Sequence, residues 1–524
     1  MFRYCDSKNF PIRACYNRKS VETAPYCGRR WAVKLRTLLH KLNIVATTGP
    51  LDIDITGVVS DNRQVKRGNA FVCYQGVNVD SHIFISDAIQ KGAVVVIGEK
   101  PIAELTVPTQ QFTYVQVPNG RRAISLLAAN WHGNPAKQLK LIGITGTNGK
   151  TSTAHLIYAI LKASGRKVAL IGTVGHRYTN AHGTEKKLPA FLTTPDAFAL
   201  HALFKQFAEE GVEYVTMETS SQGLALQRLA GLIFDTAIFT NFTQDHLDYH
   251  QTMEEYLKAK LMLFEQLGDD GVAVLNVDLP VTKRFWHVCA DLKRLMYGFR
   301  LQADLRPEGV ELSRNRLAFT ALTPSGEFPV ELRLLGEYNI YNALAAIAVG
   351  IRYNCSIAAI QEGLAATVVP GRFELVDRGQ DFAVIVDYAH TPDGLENILI
   401  AAKHITERKL ISVFGCGGDR DNGKRPKMGN ISTRIADYSV ITSDNPRTED
   451  PNEIIAQIVS NLPHDAKYVC ISERLEAIQH AIATAKSGDV IVIAGKGHED
   501  YQEIHGKRVP FDDRVVAADI LESL

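Results

Sequence analysis

Short apolar runs alternate along this chain with longer stretches in which apolar residues recur every three or four positions, the pattern of buried strands alternating with amphipathic helices. Residues 53–59, 69–74 and 93–97 are β-rich runs, with a helix expected over 83–91, and together they predict a small α/β unit. A helix over 121–132 stops at Gly133-Asn134-Pro135. Strands expected at 139–144, 167–171, 214–217, 236–240 and 272–276 then alternate with helical stretches, the signature of a mostly parallel sheet covered on both faces. A helix rich in small residues follows from Leu335 to Gly350, and Val369-Pro370-Gly371 supplies a turn. Beyond it, 383–386, 409–414, 438–442 and 490–494 alternate with helices again, predicting a second doubly wound sheet.

The fold class expected is therefore α/β in three domains: a small N-terminal α/β domain (33–136), a central mostly parallel sheet domain (137–369) and a C-terminal Rossmann-like domain (370–524). Residues 1–32 read as a disordered tail or a start assigned too far upstream, because the first amphipathic pattern opens at Val33. The length of 524 residues suits several domains, each with its own core. A net charge of +1 gives no basic field for nucleic acid, and no apolar run approaches the roughly 18–20 residues that span a bilayer. Cysteines at 5, 15, 27, 73, 289, 355, 416 and 470 include no C-x-x-C pair, so reduced thiols in a cytoplasmic protein are expected.

The chemistry starts after the strand at 139–144. Gly143, Gly146 and Gly149 let the backbone curl so that amides point inward, a helix opens with Ser152 in its first turn, Lys150 reaches terminal phosphates and the Thr151 hydroxyl can ligate Mg²⁺. Gly146, Thr147, Asn148, Gly149, Lys150, Thr151 and Ser152 thus form an ATP or GTP loop, although Ile144 stands where the general phosphate-loop pattern has its first glycine. Glu218 follows an apolar strand and is placed to hold Mg²⁺. His246 and His250 are four apart, but no adjacent glutamate completes a zinc-protease pattern.

The string T-G-T-N-G-K-T at 145–151, with T-N-x-x-x-D-H-L-D-Y-H at 240–250, resembles the Mur ligase family, ATP-dependent amino-acid-adding enzymes of peptidoglycan synthesis with folylpolyglutamate synthetase relatives. D-Y-A-H-T-P at 387–392, D-N-P-R at 444–447 and G-K-G-H-E at 495–499 extend the resemblance over nearly everything from Val33 onward. It implies an acyl-phosphate ligase with ATP as co-substrate and two Mg²⁺ ions, held by Thr151, Glu218, His246 and a carbamylated Lys260 rather than Lys258. Lys150, Lys260, His246 and Arg372 become the catalytic candidates, and Asn339, Asn342 and Asp387 join the ATP site, with His390 on the nucleotide side. The same resemblance assigns Asn62, Val77, Asn78, Val79, Thr193, Thr194, Ser220 and Arg228 to UDP-N-acetylmuramoyl-L-alanyl-D-glutamate. It assigns Arg420, Asp444, Asn445, Pro446, Arg447, Gly495 and Glu499 to meso-diaminopimelate, whose distal carboxylate would pair with Arg447. Three positions depart from the family: Asn62 replaces Ser or Thr, Gln222 replaces His, and Leu226 replaces a substrate-binding Gln. Small-molecule partners only, a monomer and no membrane span are expected. A lysine-adding or folylpolyglutamate-type ligase and a non-catalytic ATP-binding regulator are the alternatives.

Overall fold

The computed structural model describes residues 32–76, 79–105, 112–313 and 316–523. The N-terminal extension through Trp31, with Cys5, Cys15 and Cys27, lies outside the described residues, as do Val77 and Asn78.

Three sheets, each drawn from its own stretch of chain, carry the α/β alternation. The first runs in the order Ala46–Thr48, Thr113–Gln116, Val95–Gly98, Asn69–Val72, Gly57–Val59, with only the first pair antiparallel. The single run expected at 53–59 is split here. Asp54–Ile55 pairs instead with Val33–Lys34, and Thr56 turns the chain between sheets by donating its amide to Gly68 and its hydroxyl to the Arg67 carbonyl.

The central sheet has eight strands in the order Glu185–Leu188, Gly175–Thr179, Val168–Gly172, Tyr214–Glu218, Lys140–Thr145, Phe234–Phe239, Leu267–Asn276, Lys293–Tyr297. Its first two pairings are antiparallel, because Gly175–Thr179 alone runs against the rest, and the remaining five are parallel. The strand feeding the glycine loop is thus flanked by the two strands whose ends carry Glu218 and the 240–250 string. That topology, with ligand-binding loops at carboxyl ends, assembles the site. Helices Lys150–Ala163 and Tyr338–Arg352 cover one face, while Ala197–Glu209 and Met253–Phe264 pack on the other.

An antiparallel sheet of Arg306–Leu312, Leu317–Thr323 and Gly326–Leu332 was not expected from the hydrophobic pattern. Its last two strands alternate more and less buried residues, as with Phe328, Val330 and Leu332 facing inward. The last sheet runs Glu374–Leu375, Ala383–Asp387, Val490–Ala494, Leu410–Phe414, Tyr438–Ile441, Tyr468–Cys470, parallel except at its first pair. A hairpin, Tyr501–Ile504 with Lys507–Pro510, follows its third-placed strand. One apolar cluster extends from Ile142 and Leu344 of the central part to Ile385 and Leu395 of the last. No helix among the described residues is long and apolar enough to cross a membrane.

Two core histidines couple this packing to pH. Burial lowers His176 from 6.5 to about 4, and burial together with the nearby His132 lowers His201 to about 4. Both are neutral in the fold, whereas the unfolded chain takes up their protons below about pH 6.5. Their stability contribution is complete above that value and is lost as pH falls toward 4. The unfolding midpoint of the central domain measured by calorimetry should drop by roughly 5 °C between pH 7 and pH 5, and His201→Gln should flatten that dependence.

Candidate active site

The glycine loop takes its shape from two left-handed glycines. Gly146 has φ of 148° and Gly149 82°, and an added Cβ would lie 1.8 Å from Thr240 Oγ1 or 2.4 Å from Asn342 Oδ1 respectively. The amides of Thr147 and Asn148 both donate to Asn241 Oδ1, at 3.0 and 2.8 Å. The Thr147 hydroxyl is spent on the Thr243 carbonyl, and Ser152 is buried in the helix behind. Lys150 Nζ donates to the carbonyls of Gly146 and Thr147 at 2.9 and 2.7 Å. Burial, aided by the Arg372 charge, lowers its pKa despite Glu218 and Asp245.

Glu218 is the last residue of its strand and is 1% exposed. It accepts from the Thr151 hydroxyl at 2.9 Å, the Thr173 amide at 2.8 Å and the Thr173 hydroxyl at 3.2 Å. Arg372, from the last domain, donates to Thr151 Oγ1 at 3.2 Å while lying over the Tyr388 ring. Carboxylate and hydroxyl oxygens meeting beside a phosphate loop are what a hard divalent cation takes.

His246 precedes the short helix Leu247–His250, with φ of 54°. Its Nε2 lies 3.5 Å from Asp245 Oδ2, and although 36% of its side chain is open, desolvation and the charges of Lys150 and Lys260 bring its pKa down to about 4, against Asp245. The imidazole is neutral at pH 7, as a metal ligand requires. His250 instead hydrogen-bonds Ser221 Oγ, so the two histidines do not pair. Lys258 is exposed and bonded to Glu255, whereas Lys260 is 1% exposed with Nζ 4.1 Å from the Tyr256 ring centroid. Burial and then the Lys150 charge drive the Lys260 pKa well below its ordinary value. Among the described residues no three His, Cys, Asp or Glu side chains converge on a metal position.

The other candidates are placed unevenly. Asn342 bonds Asn339 and accepts from Thr153 against the loop, while the Asn339 amide is spent on the Leu335 carbonyl. Asp387 gives both carboxylate oxygens to backbone amides, those of Phe373 and Ala389, so its role here is to shape the turn bearing Arg372. The Thr194 hydroxyl bonds Ser220 Oγ, Arg228 donates to the Thr194 carbonyl, and the Thr193 hydroxyl hydrogen-bonds that of Thr173, so these four residues form one wall. Asn62 is held on Asp87 within the first domain, and Val79 is exposed.

In the last domain, Asn445 donates to Glu499 Oε2 at 2.8 Å and accepts from the Glu503 amide. Glu499, expected as a solvated carboxylate if it binds nothing, is instead largely enclosed, and burial followed by the Asp444 charge raises its pKa. Arg447, after Pro446, donates to the Gly418 carbonyl and lies 3.5 Å from Glu503, while Gly495 (φ 122°) lets Asp444 approach. Arg420 is exposed and donates to the Asp419 carbonyl, and a Cβ built on Gly417 would lie 2.9 Å from an Arg447 terminal nitrogen and 3.9 Å from Arg420 Cγ, so the two arginines flank one glycine.

Family models match this chain throughout: a Mur ligase family catalytic domain at 54–132, a Mur ligase middle domain at 144–350 and a Mur ligase glutamate ligase domain at 371–497. UDP-N-acetylmuramoyl-L-alanyl-D-glutamate–2,6-diaminopimelate ligase of Geobacillus thermodenitrificans is 45% identical over 493 residues, covering 93% of this chain and 98% of that one. The chain belongs to the Mur ligase family. The ligase of the same name from Clostridium tetani is 42% identical, covering 94% of this chain and 100% of that one. A solved structure of a ligase so named superposes with a TM-score of 0.65 at 32% identity over 94% of this chain and 99% of that one.

Within this Mur ligase, several partners escaped sequence reasoning. Asn241, inside the 240–250 string but given no role there, and Thr173 follow strand ends beside the loop, a position that could have flagged both. Asp393 accepts from Asn148 at 2.6 Å across the domain junction, a contact without a local signal, whereas buried Lys496, which bonds Glu499 and the Tyr501 carbonyl, stands inside the 495–499 string and was given no role there. Gly149→Ala should cost roughly 1–3 kcal/mol of stability, from its positive φ and the Asn342 contact. It should also raise the KM for ATP at least roughly tenfold; a melt and an ATP titration check both.

Proposed function

We propose that this protein is an ATP-dependent ligase joining meso-2,6-diaminopimelate to the D-glutamate of UDP-N-acetylmuramoyl-L-alanyl-D-glutamate, acting in the cytoplasm as a monomer on small-molecule substrates. The observation that carries the reading is the meeting, in one chain 42–45% identical to ligases of that name, of a phosphate loop with Asp444, Asn445, Arg447 and Glu499. A single chain supplies every residue of this constellation, which favours the monomer. The lysine-adding, folylpolyglutamate and regulator alternatives have no such support.

The side-chain carboxylate of D-glutamate attacks the γ-phosphorus of ATP, the bond to the leaving oxygen of ADP breaks, and an acyl phosphate forms. The amine then attacks the acyl carbon, loses a proton, and inorganic phosphate departs. Lys150 and Arg372, both at the loop mouth, stabilise charge on the transferring group, so catalysis rests on positioning and electrostatics. Thr193, Thr194, Ser220 and Arg228 hold the acceptor nucleotide, and Asn62 and residues 77–79 extend its site. Arg447 grips the distal carboxylate of diaminopimelate, while Asp444 and Glu499 take its ammonium. We place the domain boundaries near 136 and 369.

Thr151, Glu218, His246 and Lys260 would hold Mg²⁺, which when bound neutralises phosphate charge. Lys260 fits that set as a carbamate: its amine, shifted toward the neutral form by burial, adds to CO₂, forming an N–C bond and releasing one proton. Lys260→Ala should abolish turnover, with partial restoration by a short carboxylic acid; a wild-type rate would refute the carbamate.

ADP release is expected with the UDP-muramoyl dipeptide and meso-diaminopimelate together and with neither alone. L-Lysine should be at least roughly 100-fold poorer in kcat/KM, since it leaves Arg447 without its carboxylate. No release with either amino acid sinks the ligase reading, and faster release with lysine sinks the selectivity.

A further inference from the structure

The two segments read as amino-acid-binding leave strands that do not touch. Asp444 and Asn445 follow Tyr438–Ile441, and Gly495 with Glu499 follows Val490–Ala494, but strand Leu410–Phe414 lies between them. No ladder hydrogen bond sets the spacing of their ends. Arg474, first residue of helix Arg474–Thr484, bridges the gap: one terminal nitrogen donates to the Ser443 carbonyl at 3.2 Å and the other to the Ala494 carbonyl at 3.1 Å. These carbonyls immediately precede Asp444 and Gly495.

A cation at a helix N-terminus is opposed by the helix dipole, and a fully buried one is costlier still. Asp513, the first residue of helix Asp513–Glu522, answers both by taking the guanidinium in a fork, Nε to Oδ1 at 2.8 Å and Nη2 to Oδ2 at 2.7 Å. Both side chains are fully buried. Asp444 is a few ångströms away, since a Cβ built on Gly495 would lie 2.4 Å from Asp444 Oδ2 and 3.9 Å from Arg474 Nη2. Yet Arg474 does not bond it. Asp444 Oδ1 accepts from the Asn445 amide, and its buried Oδ2 has no partner among the described residues.

We infer that the Arg474–Asp513 pair is a positioning device for the amino-acid site: it fixes two non-adjacent strand ends at one spacing and, by occupying the guanidinium, keeps Asp444 Oδ2 free for an ammonium group. The inference rests on the amino-acid-binding reading proposed above. Neither residue touches substrate. Without Asp513, Arg474 turns to Asp444 and neutralises the charge the ammonium needs.

Steady-state kinetics on the full chain test this. Asp513→Asn should raise the KM for diaminopimelate at least tenfold while the KM values for ATP and the UDP-muramoyl dipeptide stay within twofold. A merely structural residue would lower the active fraction, and hence kcat, with all KM values intact. That result, or a rise shared by all three substrates, overturns the inference. Should Asp513→Asn fail to fold, the Arg474→Met/Asp513→Leu double variant is measured against the same criteria, since apolar replacement of a buried pair commonly preserves folding. The wild type in the same assay tests the substrate reading separately. If it prefers another amino acid, the variant ratio is taken with that one, so either idea can fail alone.

Discussion

The phosphate-handling end of the central domain is referred to one buried carboxylate. Taking an ion out of water costs several kcal/mol, and Glu218 offsets this with the hydroxyls of Thr151 and Thr173 and the Thr173 amide. The arrangement leaves no room for a side chain at residue 172, where a Cβ would stand 2.3 Å from Glu218 Oε1. Through Thr151 the same carboxylate reaches Arg372, so a charge fixed at the end of a central strand sets where a cation of another domain can rest. Lys150, Arg372 and Glu218 are therefore one electrostatic unit drawn from two domains.

Other contacts reinforce that junction. Asn148 of the loop bonds Asp393, and Gln244 lies between Asp421 and Lys427, donating to the first and accepting from the second. Beneath them the apolar cluster runs on from one domain into the other. The polar links are few and at the rim of the site, where they can be exchanged, while the apolar contact is extensive. Such an interface permits hinge-like adjustment about a packed contact, the motion a ligase needs to bring an amine to an acyl phosphate.

Parallel strands were legible because burial on both faces makes them continuous apolar runs, as at Lys140–Thr145 and Val490–Ala494. Among the strands missed, Gly175–Thr179, Leu317–Thr323 and Gly326–Leu332 are half-exposed and alternate, a fainter signal than a continuous apolar run. The single run at 53–59 hid a change of sheet that depends on a partner at Gly68. In the site, residues in tight motifs could be picked from the sequence, and the interior position of Lys260 beside an exposed Lys258 follows from the helix face each occupies. Partners distant in sequence had no such mark: Asp393 for Asn148, Asp513 for Arg474. The turn-shaping bonds of Asp387 depend on tertiary packing, which motif matching does not see.

Arg447 has φ of 54° and is clamped on both sides by the hairpin, its amide donating to Glu503 and its carbonyl accepting from His505. Its direction is therefore set by a segment more than fifty residues farther along, which also supplies Glu503 as a neighbouring anion. Deleting the guanidinium takes one substitution; re-aiming it takes coordinated change in a loop and a hairpin. With Arg447 in its proposed role, drift toward a different amine is restricted by the geometry of two segments that must be remodelled together.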